Sequence, residues 1–314
     1  MTKILIFTLL ALGYQTASAQ LVTESFGTGA NAFTMDFVTI GNPNNAADTT
    51  GSPNPAGSVA YNYNIGKYEV SRAQVDKANS EGSLGITLAD MTSYTFNGSL
   101  KPATGISWYE AAGYTNWLNT STGGTAAYKF VSGTFQLWSS TDAGYNASNP
   151  FRNSLAKYVI ASSNEWYKAA YGNLDGTWNN YATGSNSAPS AVASGTAANT
   201  AVYDGQSGPA DVTGAGGLSP WGTMGQGGNV WEWYETAFDG SNDIAGENRV
   251  VRGGAWNSSV VNLDASILSQ IPAPTTEQNK YGFRVVSVPE PSTVLLVLLG
   301  LSGLLFKRRK TGTL

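Results

Sequence analysis

The heptapeptide GGNVWEW at residues 227–233 places a glutamate between two tryptophans, after two glycines and an asparagine. Glycines let backbone carbonyl oxygens converge at short range, and a carboxylate beside two indoles is costly to bury unpaired. Carboxylate, amide and carbonyl oxygens are the ligands that calcium prefers. The segment therefore predicts either a calcium site that includes Glu232 or a buried ion pair between Glu232 and Arg249, Arg252 or Arg284.

Histidine and cysteine are both absent from the 314 residues. Their absence excludes disulfides, thiolate nucleophiles, serine-histidine-aspartate triads, zinc sites of the usual ligands and imidazole-held iron or copper. Metal binding is then restricted to oxygen ligands, which again favours calcium as a structural cofactor. Only 12% of the residues are charged and the net charge is −4, so we expect no nucleic-acid partner.

Three capping boxes predict three short helices around this segment. In each box an N-cap serine and a glutamine or glutamate three residues later satisfy backbone donors reciprocally. The serines are Ser71, Ser107 and Ser162, and their partners are Gln74, Glu110 and Glu165. For Glu69, Glu110 and Glu165 we expect capping or ion pairing rather than general acid or base chemistry.

Short strands are predicted between the helices. Apolar residues alternate from Phe33 to Phe37 and again at Val59, Tyr61, Tyr63 and Ile65, and residues 249–252 and 282–287 are further candidates. A few helices among short strands indicate an α+β fold. Residues 172–228 show no sustained period, but their aromatic residues favour a loop tied to the domain, with disorder of residues 182–198 as the alternative.

Residues 1–19 have the features of a secretory signal peptide. Lys3 precedes an apolar run over residues 4–12, and Ala17-Ser18-Ala19 forms a small-residue cleavage site before Gln20. A buried N-terminal helix is the alternative. The signal predicts engagement of the secretion machinery and export through the Sec pathway.

Residues 288–314 have a tripartite pattern. Pro289, Glu290 and Pro291 precede an apolar run over residues 294–306 and then four cations over residues 307–310. As a helix the run would span roughly 20 Å, against about 30 Å for the hydrocarbon core of a bilayer, so it suits only a transient transmembrane anchor. The pattern resembles the PEP-CTERM sorting signal, which implies an exosortase-type protease as partner, an exopolysaccharide-linked export route and a location at the cell surface or in the extracellular matrix. A simple C-terminal membrane helix is the alternative.

Six ordered blocks resemble the formylglycine-generating enzyme, or sulfatase-modifying factor, family. The blocks are YNIGKYEVSRAQ (63–74), PATGISWYEAAGYTNWLN (102–119), SSNEWYKAAYG (162–172), SPWGTMGQGGNVWEW (219–233), RVVRGGAWNSS (249–259) and YGFRVV (281–286). The resemblance implies that residues 20–287 form a single compact, loop-rich α+β domain, related to the C-type lectin-like fold and held by calcium.

The resemblance also implies site residues. In the first calcium site Glu232 is a side-chain ligand, with Gly228 and Val230 as carbonyl ligands, although Gly225 stands where the family commonly has Asp or Asn. A second site would fall on Asn199, Thr200, Asp204 and Gln206.

Four further residues have structural roles in this interpretation. If the segment after Val230 is extended, Trp231 and Trp233 pack on the face opposite Glu232. Arg252 and Arg284 would donate to carboxylates or carbonyls inside the domain.

The known chemistry of the family needs residues that this chain lacks. Formylglycine-generating members oxidise a target cysteine with copper held by a cysteine pair, and the related sulfoxide-forming branch holds iron with histidines. The favoured hypothesis is therefore a non-catalytic module that binds an extracellular glycan or protein. The alternatives are an oxidoreductase-like enzyme with an oxygen-ligated metal, and a structural component of the exopolysaccharide layer.

Overall fold

The computed structural model describes residues 19–268 and 270–288. The predicted signal peptide up to residue 18 and the sorting segment from Pro289, with Glu290 and Pro291, lie outside these residues. Within the described part of the chain, no helix has the length and apolar character needed to cross a membrane.

The described residues form a mixed helix and strand domain. The helices are α1 (Arg72–Gly82), α2 (Trp108–Ser121) and α3 (Ser163–Tyr171), with short 3-10 helices at Gly29–Asn31, Val212–Gly214 and Val260–Leu263. The strands are β1 (Leu21–Phe26), β2 (Phe33–Ile40), β3 (Tyr63–Gly66), β4 (Lys129–Val131), β5 (Thr134–Gln136), β6 (Tyr158–Ile160), β7 (Ser190–Ala191), β8 (Thr200–Ala201), β9 (Trp231–Ala237), β10 (Arg249–Arg252), β11 (Tyr281–Phe283) and β12 (Val285–Ser287).

Two sheets form the centre of the domain. The larger has the order β1-β2-β3-β12-β6 with antiparallel pairing throughout. The smaller has the order β10-β9-β11, in which β9 pairs antiparallel with β10 and parallel with β11. The prediction of one strand over residues 282–287 was wrong in this respect: Arg284 separates β11 from β12, and the chain passes there from one sheet to the other.

All three capping boxes are confirmed, with both reciprocal hydrogen bonds present at Ser71, Ser107 and Ser162.

The helices pack an aromatic core. Trp108 of α2 is fully buried and meets Tyr128 edge-on at 5.2 Å between ring centroids, an arrangement that aromatic quadrupoles favour.

The strand predicted at residues 59–65 begins only at Tyr63. Before it, the backbone groups of Val59 bond to a loop instead of to a strand: its N–H donates to Asn45 Oδ1 at 3.1 Å, and its carbonyl accepts from Asn44 N–H at 2.8 Å. Tyr61 consequently lies outside the sheet, with 40% of its surface exposed.

The long segment 172–228 is tied to the domain, as its aromatic content predicted. Tyr203 is buried and its hydroxyl donates to the carbonyl of Pro189 at 2.6 Å. The strands β7 and β8 pair in parallel, and Trp221 is fully buried. These contacts also hold residues 182–198, so the disorder alternative is wrong for this segment.

Helix α3 buries a lysine. Lys168 is 2% exposed and its Nζ donates to the carbonyl of Asn42 at 2.8 Å. Burial lowers the pKa of Lys168 to about 8 from its ordinary value of 10.5, because a buried ammonium loses hydration.

The contribution of Lys168 to stability, measured as the difference between wild type and a variant without the lysine, should therefore become more favourable as pH rises in the alkaline range. Between pH 8 and 10.5 the unfolded chain binds more protons at Lys168 than the folded chain does, so raising the pH relieves a cost of folding. The expected gain is of order 1 kcal/mol after allowing for solvent screening. Denaturant unfolding of the wild type and Lys168→Met at pH 7 and pH 10 checks this, since the variant should lack the gain; parallel pH profiles would contradict the assignment.

Candidate functional site

The GGNVWEW segment leads into the central strand of the smaller sheet. From Trp231 onward the backbone is extended, so side chains alternate between the two faces. Trp231 and Trp233 are both buried; Trp233 Nε1 donates to the carbonyl of Ile106 at 2.9 Å, and its ring meets Tyr281 edge-on. Glu232 points to the opposite face.

On that face the Glu232 carboxylate is fully buried and accepts three hydrogen bonds. Its Oε2 accepts from Trp166 Nε1 at 2.6 Å and from Arg284 Nε at 3.0 Å. Its Oε1 accepts from Arg284 Nη2 at 2.8 Å, which completes a two-pronged ion pair. Of the three arginines that the sequence offers as partners, the structure places Arg284 against Glu232.

Arg284 is itself fully buried and also donates to two backbone carbonyls. Nη1 donates to the carbonyl of Gly66 at 2.6 Å, and Nη2 also donates to the carbonyl of Met224 at 2.7 Å. The guanidinium therefore links Glu232 to the end of β3 and to the loop that precedes the glycine-rich turn.

A second buried carboxylate, Glu69, lies beside this pair and accepts from Asn229 Nδ2 at 2.8 and 3.1 Å. Burial, followed by the charge of Glu232, raises the pKa of Glu69 well above its usual range. Gly225 has a φ of +81°, and a Cβ there would lie 2.9 Å from the Glu69 carboxyl group. An Asp or Asn at this position would have to adopt this left-handed backbone conformation and displace the Glu69 carboxyl group.

The contacts of Glu232 do not fit a calcium ion. Both carboxylate oxygens already accept hydrogen bonds, and a cation bound there would face the positive charge of Arg284. Gly228 and Val230, the predicted carbonyl ligands, flank Asn229 in the turn, and the N–H of Gly228 donates to the carbonyl of Gly253 at 2.7 Å. Across residues 19–268 and 270–288, no group of three or more acidic, histidine or cysteine side chains is arranged to hold a metal.

The second predicted calcium group is divided between two neighbourhoods. Asn199 Oδ1 accepts from Thr183 Oγ1 at 2.8 Å, and Thr200 Oγ1 donates to the carbonyl of Ala197 at 2.7 Å. The N–H of Asp204 instead donates to the carbonyl of Ser258 at 2.8 Å. Calcium binding by Asn199, Thr200 and Asp204 stays a prediction.

Gln206 belongs to the same predicted calcium group. Its backbone N–H donates to the carbonyl of Trp256 at 2.9 Å, and its Nε2 donates to the carbonyl of Tyr203 at 2.8 Å. Both bonds hold the loop after β8 in place.

Arg252 donates to the backbone carbonyls of Ser52 and Ala265. Its guanidinium also lies 4.9 Å from the ring centroid of Tyr167 and 5.1 Å from that of Tyr171, within range of cation–π attraction. The side chain thus ties β10 to two loops and to helix α3.

A third charged centre, which the sequence analysis missed, surrounds Arg152. Its Nε donates to Glu235 Oε2 at 2.8 Å, while Nη1 and Nη2 donate to the two oxygens of Glu165 at 3.1 and 3.0 Å. Nη2 also donates to the carbonyl of Ile160 at 3.1 Å. No local sequence pattern marks Arg152, because its partners lie on α3 and β9.

Two tyrosine hydroxyls also donate hydrogen bonds to these carboxylates. Tyr61 donates to Glu165 Oε1 and Tyr128 donates to Glu235 Oε2, each at 2.7 Å. Burial alone would raise the pKa of Glu165, but the charge and hydrogen bonds of Arg152 lower it overall. Each carboxylate at this centre is therefore held in place by a positive charge and a phenol.

The family model for the sulfatase-modifying factor enzyme 1-like domain matches residues 27–288. The chain belongs to this family. A second match, to the PEP-CTERM protein-sorting motif, covers residues 287–310. This motif is a sorting signal recognised by exosortase, and it implies that this sulfatase-modifying factor-like protein is exported and associates with the cell surface.

Solved structures share the fold. Treponema denticola variable protein 1 matches with a TM-score of 0.58 and 18% identity, over 85% of this chain and 99% of that one. CarF matches with a TM-score of 0.59 and 18% identity, over 81% and 98%. PvdO from Pseudomonas aeruginosa matches with a TM-score of 0.51 and 16% identity, over 85% and 98%. These neighbours place the domain in the sulfatase-modifying factor fold, consistent with a C-type lectin-like relation. A search of curated proteins finds no match.

The Glu232–Arg284 pair should stabilise the fold without metal. Glu232→Gln removes the charge that compensates a fully buried guanidinium, so we expect a loss of about 3 to 5 kcal/mol in the free energy of unfolding. The loss should be equal in calcium and in chelator. Glu110→Gln is the control, because glutamine also serves a capping box. A loss confined to the calcium sample would instead assign Glu232 to a metal.

Removal of Arg152 should produce a pH-dependent instability. In Arg152→Gln the buried carboxylates of Glu165 and Glu235 lack their cation, and burial then raises the pKa of Glu165 above that of the unfolded chain. A buried carboxyl group with a raised pKa costs the folded state nothing below the unfolded pKa, where it is protonated in both states. As the pH rises above that value, the cost to the folded state grows. We expect a deficit of about 3 to 5 kcal/mol at pH 7 that shrinks toward pH 4.

Urea unfolding across this pH range measures the deficit of Arg152→Gln. Lys129→Gln breaks a partly exposed pair with Asp142 and should cost less than about 1 kcal/mol. A deficit for Arg152→Gln that stays constant with pH would contradict the charge assignment.

Proposed function

We propose that this exported protein is a non-catalytic binding module of the cell surface or extracellular matrix, and that its ligand is a glycan. The observation that carries the proposal is that three of the four buried carboxylates at the charged centres are already held by arginines, while the fourth, Glu69, is buried and accepts from Asn229. Glu232 pairs with Arg284, and both Glu165 and Glu235 pair with Arg152. Carboxylates held in this way are poorly suited to general acid or base chemistry, which needs a group free to exchange a proton with substrate.

The absence of cysteine and histidine supports the same conclusion. The chain has neither the thiolates that bind copper(I) nor the imidazoles that bind iron in the catalytic members that it resembles. The chain keeps the fold of its family without these residues, because the buried ion pairs and the aromatic core stabilise that fold. Calcium enters this proposal as a structural ion only, because oxygen ligands are what the chain offers to a metal.

The surface favours a glycan over a strongly charged partner. Several aromatic rings are partly exposed, among them Tyr61 and Phe96, while only 12% of all residues are charged. Aromatic faces stack on the apolar faces of sugars, and polar uncharged side chains bond to sugar hydroxyls. The PEP-CTERM motif at residues 287–310 implies surface association, where glycans are available.

Binding without turnover is the expected outcome. Purified exported protein should retain fragments of bacterial exopolysaccharide on a glycan array, and the bound fragments should be recovered unchanged by mass spectrometry. Elemental analysis of the same preparation should show no stoichiometric copper or iron. Release of a modified product, or copper or iron near one equivalent, would contradict the proposal and favour a metal-dependent enzyme. Absence of binding to every fragment would favour a structural component of the exopolysaccharide layer.

A further inference from the structure

A surface pocket of about 460 Å³ lies over the Arg152 centre. Tyr61, Asn146, Asn149 and Arg152 contribute to its lining, together with Val288. The volume lies within the range of small-molecule sites, which is about 300 to 1,000 Å³. Its lining combines an aromatic ring, three amides, a serine and one cationic side chain with the apolar side chains of Ala156 and Val288.

Tyr61 supplies an aromatic wall of the pocket, and buried residues beneath the pocket hold its ring in position. Its hydroxyl donates to Glu165 Oε1 at 2.7 Å, and its ring contacts Tyr63 edge-on at 6.2 Å between centroids. Glu165 is held in turn by Arg152 and by the N–H of Ser162. Because 40% of Tyr61 stays exposed, the structure offers a ring that is immobilised before any ligand arrives.

Three asparagines line the pocket: Asn149 and Asn153 each bond within the domain through both Nδ2 and Oδ1, whereas Asn146 does so through Oδ1 alone. Asn149 Nδ2 donates to Glu235 Oε1 at 2.6 Å, and its Oδ1 accepts from Asn242 at 2.8 Å. Asn146 Oδ1 accepts from the N–H of Ser148 at 3.0 Å. Among the residues that the structure describes, the Asn146 side-chain NH₂ has no bonded partner, so it is available to a ligand.

Arg152 also has one donor left. A guanidinium carries five N–H groups. Four are used: one on Nε, one on Nη1 and both on Nη2, with Glu235, Glu165 and the carbonyl of Ile160 as acceptors. Within residues 19–268 and 270–288, the second N–H of Nη1 has no acceptor, and the side chain is 12% exposed and lines the pocket.

We propose that this pocket binds an uncharged pyranose unit of a polysaccharide, stacked on Tyr61, with Arg152 and Asn146 donating to its hydroxyl groups. The inference rests on the proposed glycan-binding function and assigns it a site and a class of sugar. A hydroxyl oxygen needs only one donor, which matches the single free N–H of Arg152 and the NH₂ of Asn146.

The local charge disfavours acidic sugars. Beneath the pocket, the carboxylates of Glu165 and Glu235 outnumber the guanidinium of Arg152, which gives a net charge of −1 when all three are ionised. A uronate would meet this negative charge, and the one free N–H of Arg152 does not permit the two-pronged bond that arginines form with carboxylates. Uncharged sugars avoid both costs.

The pocket lies beside the start of the sorting motif. Val288 lines it, and the N–H of Val288 donates to the carbonyl of Lys157 at 2.8 Å. The PEP-CTERM match begins at residue 287, so the sugar would be bound at the end of the domain from which the sorting segment departs.

Titration calorimetry of the purified exported protein tests the sugar class. The probes are three tetrasaccharides of equal linkage, made of glucose, of N-acetylglucosamine and of glucuronic acid. We expect one or both neutral probes to bind at least tenfold more tightly than the glucuronate. Equal or tighter binding of the glucuronate would overturn the charge argument while leaving glycan binding intact. Absence of binding to all three, together with an empty glycan array, would overturn the proposed function as well.

Matched variants test the site. Tyr61→Ala should weaken binding of the neutral probe at least tenfold, whereas Tyr61→Phe keeps the ring and should weaken it less than about threefold. Tyr94→Ala is the control, because Tyr94 is 42% exposed, close to the 40% of Tyr61, but lies on a different loop. Thermal unfolding of each variant separates lost binding from lost folding. Weakened binding in Tyr94→Ala with none in Tyr61→Ala would place the ligand elsewhere and overturn the assignment.

Discussion

The buried ion pair between Arg284 and Glu232 holds the two main sheets together. Arg284 is the single residue between β11 of the smaller sheet and β12 of the larger one. Its guanidinium bonds to Glu232 on β9 and to the carbonyl of Gly66 at the end of β3. Both charges are fully buried, so sliding one sheet against the other would leave a charge unpaired at a cost of several kcal/mol. The pair thus specifies the relative position of the sheets.

A second buried arginine forms ion pairs in the same way: the guanidinium of Arg152 pairs with the carboxylates of both Glu165 and Glu235. Aromatic donors supply further bonds: Trp166 to Glu232 and Tyr128 to Glu235. These two rings therefore have a polar as well as an apolar function, since each fills the core and donates to a buried oxygen. A chain without cysteine or histidine can keep the family fold because these contacts require neither residue.

Local patterns predicted the features that depend on neighbouring residues. The three capping boxes and the alternation of β2 were readable because both act over a few residues. The partner of Glu232 remained open among three arginines, since the chosen one lies 52 residues away. Arg152 was missed because Glu235 is 83 residues distant and no spacing rule connects them. The space around Gly225 was equally unreadable, because Glu69 reaches it only in the folded chain.

Tyr61 shows where a failed local pattern carries information. Val59, Tyr63 and Ile65 share its alternation and are all buried, as one face of a strand should be. Tyr61 alone departs from the set, because its hydroxyl bonds to Glu165 and the strand starts only after it. An exposed Tyr61 ring stabilises the fold less than a ring buried on the strand face would. Departures of this kind from a local pattern concentrate at functional sites. Since the ring is already fixed by the Arg152 centre, the proposed sugar would stack on it with little ordering cost.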